Sequence, residues 1–175
     1  MKTFPKLDYL DFFTLSPEAD TREETLLEVT PENIYEHGVV VGRFQPLHYG
    51  HIFLLKHAHR ASKRLTIILG SANKKNKNNP FTVEEREWML NKAIKREGLK
   101  KIDRIIPIND NPDDNIWLAD VDKQVGAFDV VFGNNDYVNN LFTKRGTHYH
   151  DIVQLQRGLY QGDRIREFLR QVGKL

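Results

Sequence analysis

A β-branched run, Val39 to Val41, leads directly into Gly42-Arg43-Phe44-Gln45-Pro46-Leu47-His48-Tyr49-Gly50-His51, and apolar residues at helical spacing resume at Ile52. Strand, Pro/Gly-punctuated loop and helix in that order form the opening unit of an open parallel sheet. Ligands of such sheets bind outside the carboxyl ends of the strands, where this loop lies. His48 and His51 are three residues apart, so both imidazoles fall on one face of the first helical turn and address the same ligand. A helix N-terminus offers unpaired N–H groups and a positive dipole end, both suited to phosphate. Gly50 brings no side chain, which admits a bulky polyanion, and Arg43 supplies a permanent fork of donors. The constellation reads as a triphosphate cradle without a covalent nucleophile; two surface histidines capping an ordinary helix is the plainer alternative.

The 175 residues suffice for one domain with a full core. No cysteine is present, which excludes disulfides, thiolate metal sites and a cysteine nucleophile. Mean hydropathy is negative, no apolar run approaches a membrane span, and the N-terminus lacks a basic-then-apolar signal. The expectation is a cytoplasmic protein with no membrane partner. Neither GxxxxGK[ST] nor GxGxxG occurs, so phosphate is held by other means. Residues 1–38 carry a net charge of −6 and residues 39–175 a net +8. That basic body suits anionic nucleotides better than the total of +2 suggests.

The chain divides accordingly into an acidic extension, 1–38, and a body, 39–175. Phe4, Leu7, Tyr9, Leu10, Phe12, Phe13 and Leu15 are too apolar for a free tail, so the extension is expected to dock on the body or on a neighbouring subunit. In the body, a helix from Tyr49 to Ala61 precedes a strand from Arg64 to Leu69. Next come the turn Gly70-Ser71-Ala72, an Asn/Lys loop over 73–79 expected to be mobile, and Asn79-Pro80-Phe81-Thr82-Val83-Glu84-Glu85-Arg86. There Thr82 and Glu85 stand at capping-box spacing for a helix ending at Gly98. A third strand is expected over Arg104–Ile108, then an Asn/Asp/Pro turn, Ile116-Trp117-Leu118 and a short helix through about Lys123. A fourth strand over Phe128–Phe132 ends in Gly133-Asn134 and leads into a helix from Asn135 to Phe142. A last strand is expected from His148 to Leu155, followed by Tyr160-Gln161-Gly162-Asp163-Arg164-Ile165-Arg166. Five alternations predict an α/β fold, a Rossmann-like doubly wound parallel sheet of about five strands. His57 and His59 point apart on their helix and gather no further ligand type, so no metal site is expected there.

The signature Gly-Arg-Phe-Gln-Pro-x-His-x-Gly-His resembles that of the nucleotidyltransferase superfamily. Asn-Pro-Phe-Thr-x-x-Glu-Arg narrows the resemblance to archaeal-type nicotinamide mononucleotide adenylyltransferases. The resemblance begins at about Val39. It implies that nicotinamide mononucleotide and ATP, with Mg2+, are converted to NAD and pyrophosphate, and that the enzyme is a homo-oligomer that needs no nucleic acid. It assigns catalysis to Arg43, His48, His51 and Arg166. ATP binding falls to Gly42, Arg43, Phe44, His48, His51, Gly133, Asn134, Gly162, Ile165 and Arg166. Mononucleotide binding falls to Ser71, Arg86, which would contact phosphate, and Trp117, which would stack on the nicotinamide ring. A packing role remains open for Trp117, as does an exposed or helix-pairing role for Arg86. Gln161 and Asp163 depart from the usual Ser-Gly-Thr-x-Ile-Arg, and a carboxylate at Asp163 opposes the anion that the motif holds. Transfer to nicotinate mononucleotide, phosphopantetheine or a flavin acceptor, nucleotide sensing without catalysis, and nucleic-acid binding through Lys74, Lys75, Lys77 and other basic residues are the rival functions.

Overall fold

The computed structural model describes residues 4, 7, 9–15, 27–28, 30–151 and 161–175. The hydrophobic run at its centre became the central strand, as a segment covered on both faces must be apolar throughout. β1 (Tyr35–Gly42) is flanked by β2 (Ser62–Leu69) and β4 (Val130–Gly133), with β3 (Ile102–Pro107) and β5 (His148–Asp151) at the edges. The order is β3-β2-β1-β4-β5, every pair parallel. Chain direction across the sheet reverses between the β1–β2–β3 half and the β4–β5 half, which opens a crevice at the carboxyl end of β1.

Alternation along the strands separates two cores. Val40, Leu65, Ile67, Val130 and Phe132 face one way, onto α2 (Tyr49–Ala61), α3 (Val83–Glu97) and α6 (Gly162–Gln171). Val39, Ile68 and Val131 face the other way, onto Trp117, Val121 and Val125 of α4 (Asp114–Val125) and Phe142 of α5 (Asp136–Lys144). The connections follow local chemistry. Thr82 and Glu85 close the expected capping box, with Glu85 N donating to Thr82 Oγ1 at 3.2 Å and Thr82 N to Glu85 Oε2 at 2.9 Å. Gly98 ends α3 in the left-handed region at φ 66°.

Four strand starts differ from expectation, β2 and β3 each beginning two residues earlier, at Ser62 and Ile102. β1 begins at Tyr35, because Tyr35 and His37 pair with Ser62 and Arg64 of β2. His37 is buried there through Nδ1 to Ala127 O (2.7 Å) and Nε2 to Thr66 Oγ1 (2.8 Å). A polar stretch thus enters the sheet by hydrogen bonding, which an apolar-run criterion misses. β4 begins two residues later than expected, and the expected continuation of β5 to Leu155 lies outside the described residues.

Near the N-terminus, α1 (Leu10–Thr14) lies against the body. Leu7, Leu10 and Phe13 belong to the α2/α3/α6 core. Phe4 meets Trp88 edge-on at 5.9 Å and Phe13 meets Phe168 at 6.0 Å. Arg96 donates to Thr14 Oγ1 (2.8 Å) and Thr14 O (2.9 Å), while Asp11 pairs with Lys92 at 3.2 Å. Farther along, Glu32 pairs with Arg60 at 2.9 Å and Glu36 with Lys63. No helix among the described residues is long and apolar enough to cross a membrane.

Candidate functional site

The first loop is built as a bracket. Gln45 grips the backbone of Phe81 from both sides, its Nε2 donating to Phe81 O and its Oε1 accepting from Phe81 N, each at 2.9 Å. This joins the loop to the Asn-Pro-Phe-Thr segment that precedes α3. Arg166, from the first turn of α6, donates from Nη1 to Gln45 O at 2.6 Å. A Cβ on Gly162 would come within 3.2 Å of that carbonyl oxygen, so a glycine lets α6 start hard against the loop. Phe44 and Ser71, at the ends of β1 and β2, both hold positive φ (50° and 51°). Non-glycine residues in that region cost on the order of 1–3 kcal/mol each and concentrate at ligand sites.

His48 is the N-cap of α2 and His51 is its third helical residue. His48 N donates to His51 Nδ1 at 3.2 Å, and the rings stack with centroids 3.7 Å apart at 25°. Because Nδ1 of His51 accepts, its proton sits on Nε2, where it serves as a neutral donor. Burial pushes His48 down to about 4. His51 lies well below the usual imidazole value through burial first, then the neighbouring His48 and Arg43. Both rings are therefore uncharged near neutrality, and the fixed positive charge comes from Arg43 and Arg166. Arg43 is exposed at the loop tip, its nearest partner being Asn79 Oδ1 at 3.4 Å.

These groups line a cavity of about 590 Å³ at the carboxyl end of the sheet. Of the residues singled out by sequence, Gly42, Arg43, Phe44, His48, His51, Ser71, Trp117, Asn134, Gly162 and Arg166 line it. Ser71 Oγ donates to Asp110 Oδ1 at 3.1 Å. Trp117 combines both readings offered for it: it is 9% exposed, meets Phe142 edge-on at 6.0 Å, and turns its remaining surface to the cavity.

Three residues are placed otherwise. Arg86, expected at a substrate phosphate, is fully buried; its Nη1 donates to the carbonyls of Arg43 and Gly70, both at 2.8 Å, and its Nη2 to Ser71 O at 3.4 Å. Those strand-end carbonyls have lost their sheet partners, and a buried guanidinium satisfies them. Ile165 packs into the α2/α3/α6 core and so anchors α6 instead of lining the cavity. Gly133 is set where a Cβ would meet Tyr149 Oη at 2.5 Å, so it allows β5 to approach. The Asn/Lys loop, expected to be mobile, is a hydrogen-bonded turn: Asn76 Oδ1 accepts from Asn78 N and Asn79 N, and Lys77 O accepts from Arg170 at 2.6 Å.

Sequence reading passed over Gln45 as a bracket and Tyr137 as a lining residue. Within the Asn/Asp/Pro turn that the sequence offered, Asp113 caps α4 whereas Asp110 and Asp114 line the cavity. The Asp-rich turn was the available signal; which carboxylate caps and which faces the crevice depends on where the helix starts.

A parallel doubly wound sheet with paired histidines at the first helix and an arginine returning from the last defines a nucleotide-binding transferase site. Residues 39–168 match the cytidylyltransferase-like family, and the chain belongs to it. Within that family it falls among the nicotinamide-nucleotide adenylyltransferases. It is 33% identical over 129 residues to the enzyme of that name from Thermoplasma volcanium, covering 73% of this chain and 72% of that one. To that from Archaeoglobus fulgidus it is 40% identical over 131 residues, 72% of this chain and 75% of the relative. In fold it is similar to a bifunctional NMN adenylyltransferase/ADP ribose pyrophosphatase from Francisella tularensis, with a TM-score of 0.69 at 24% identity. That alignment covers 79% of this chain and 43% of the Francisella chain, so this protein spans less than half of that neighbour's length. The Francisella protein has also been solved with AMP and a manganese ion.

Proposed function

We propose that the protein joins nicotinamide mononucleotide to the adenylyl group of ATP, giving NAD and pyrophosphate. The convergence of Arg43, His48, His51 and Arg166 on one cavity at the carboxyl end of β1 carries this reading. The 5′-phosphate of the mononucleotide attacks the α-phosphorus of ATP in line, and the bond to the β-phosphate oxygen breaks. The attacking phosphate is already anionic near pH 7, so the protein has no proton to remove. Its work is positioning and charge stabilisation. Arg43 and Arg166 hold the triphosphate as fixed cations, with magnesium arriving on ATP as part of that substrate. His48 and the Nε2–H of His51 donate to the α-phosphate oxygens as charge builds, and the arriving polyanion raises their affinity for protons. Ser71 and Trp117 belong to the acceptor side. Arg86 acts one layer back, fixing the backbone of Arg43, Gly70 and Ser71.

Asp163 is exposed and outside the cavity lining, which favours catalysis over sensing without turnover. Phe12 and Phe168 are 76% and 46% exposed and both border Phe13, an apolar patch that supports a homo-oligomer; light scattering tests it. A cytoplasmic location belongs to the same reading. The direct test is chromatography of products after incubating the protein with ATP, magnesium and, in parallel, nicotinamide mononucleotide, phosphopantetheine or flavin mononucleotide. A NAD peak supports the assignment. ATP binding with no product in any tube overturns it in favour of a nucleotide sensor. His51→Ala is expected to lower turnover by about 10²–10³.

A further inference from the structure

Four charged side chains line the cavity among the described residues, and they are sorted by side. Arg43 comes from the loop before α2 and Arg166 from α6, the helices of one face of the sheet. Asp114 opens α4, on the opposite face, and Asp110 sits in the turn before it. The crevice straddles the end of β1, so it is electrically two-ended: cationic beside α2 and α6, acidic beside α4. The cationic end matches phosphates. The acidic end surrounds Trp117, and no Lys or Arg lines it.

Asp114 and Trp117 lie three residues apart on α4 and therefore on one helical face, about 5–6 Å apart at Cβ. A flat ring resting on the indole is within reach of the carboxylate one turn earlier. Asp113 takes the N-cap, accepting from Asn115 N at 2.9 Å, which leaves Asp114 for other work. Tyr137, on α5, donates its hydroxyl to Asp114 Oδ1 and so fixes the direction of the carboxylate from across the crevice. The second oxygen retains acceptor capacity. Asp110 is oriented in turn by Ser71 Oγ and by the mutual bonds between its backbone and Asn73.

We propose that Asp114, steered by Tyr137 and backed by Asp110, makes the acceptor end select the amide form of the pyridine mononucleotide against the acid form. The proposal rests on the adenylyl-transfer reading and specifies its substrate. Both mononucleotides carry a cationic pyridinium ring, which the acidic end favours equally. They differ in the substituent: the carboxamide of the nicotinamide form offers N–H donors to Asp114, whereas the carboxylate of the nicotinate form sets like charge against like with no donor between them. A like-charge contact at this range outweighs a factor of ten even under partial solvent screening, so a preference of roughly tenfold or more is expected. Tyr137 acts through Asp114 and is a positioning residue.

The test measures kcat/KM with ATP for nicotinamide mononucleotide and nicotinate mononucleotide, in the unaltered protein, Asp114→Asn and Tyr137→Phe, with melting curves for each. Expected is a preference for the amide that Asp114→Asn reduces by about tenfold, mainly through a lower KM for the nicotinate form. Tyr137→Phe is expected to relax the ratio in the same direction by less. Because Asp113 keeps the cap, Asp114→Asn should melt close to the unaltered protein, and a purely structural role would depress both substrates together. A ratio unmoved by Asp114→Asn, or an unaltered protein that prefers the nicotinate form, overturns the proposal. Absence of both dinucleotides overturns the adenylyl-transfer reading and the proposal with it.

Discussion

Arg86 offers the sharpest experiment, because its two possible roles predict opposite results. Its Nη1 makes two bonds of 2.8 Å to the carbonyls of Arg43 and Gly70 in a fully buried setting. Hydrogen bonds from a charged donor contribute about 1.5–3 kcal/mol each, and the carbonyls left behind would be buried without partners. Arg86→Ala should therefore cost at least about 3–5 kcal/mol, a large share of the 5–15 kcal/mol typical of a domain. Arg86→Lys is the more useful variant. A single ammonium replaces the fork and recovers part of the contact, so a loss of about 2 kcal/mol is expected in urea titration. Since the anchored carbonyls flank Phe44 and Ser71, KM for ATP and for the mononucleotide should rise together, with turnover reduced less than about tenfold, well short of the effect of removing a transition-state donor. An Arg86→Lys protein as stable as the original yet more than about 100-fold slower would mean that the guanidinium works on a substrate phosphate, and the structural role would be refuted.

Other perturbations probe separate parts of the molecule. His48 holds its proton only below about 4, against 6.5 when unfolded, so between those values the unfolded chain binds more protons. Stability from this group is complete above pH 6.5 and is lost as pH falls toward 4, by about 3 kcal/mol; a His48→Gln protein with the same pH slope in urea midpoints would contradict this. Phe13→Ala removes a ring packed on Phe168 of α6. It should cost about 3 kcal/mol in urea titration and raise KM for ATP, whereas an unchanged midpoint would show that α1 adds nothing to the body. Asp163→Asn removes a carboxylate from the first turn of α6 and should lower KM for ATP by roughly two- to fivefold at low salt, an effect that shrinks as salt is added.

The parallel sheet and the phosphate cradle were legible because each rests on short-range pattern. Val39–Val41 followed by a Pro/Gly loop and His48, His51 at helical spacing leaves few alternatives, and Thr82 with Glu85 marks a helix start by local bonding alone. What escaped depends on distant partners. Arg86 looks like a surface arginine until Arg43 and Gly70 bring it unpaired carbonyls. Gln45 looks like part of a motif, and its grip on Phe81 appears only when the segments are adjacent. The charge sorting of the cavity was hidden as well, since Asp114 and Tyr137 meet only after α4 and α5 pack on one face of the sheet. Tyr35 and His37 entered β1 through polar contacts that no hydropathy pattern records.

The position of α6 has a consequence for how the protein is made. Arg166 reaches Gln45, Phe168 reaches Phe13 and Arg170 reaches Lys77, so this one helix clasps three segments synthesised long before it. All five strands found among the described residues precede it in the chain. A nascent polypeptide can therefore assemble its sheet on the ribosome while one of the two arginines of the phosphate end is still untranslated. Binding competence would arrive in a late docking step, and a stalled or shortened product would carry a formed sheet whose site is open on one side.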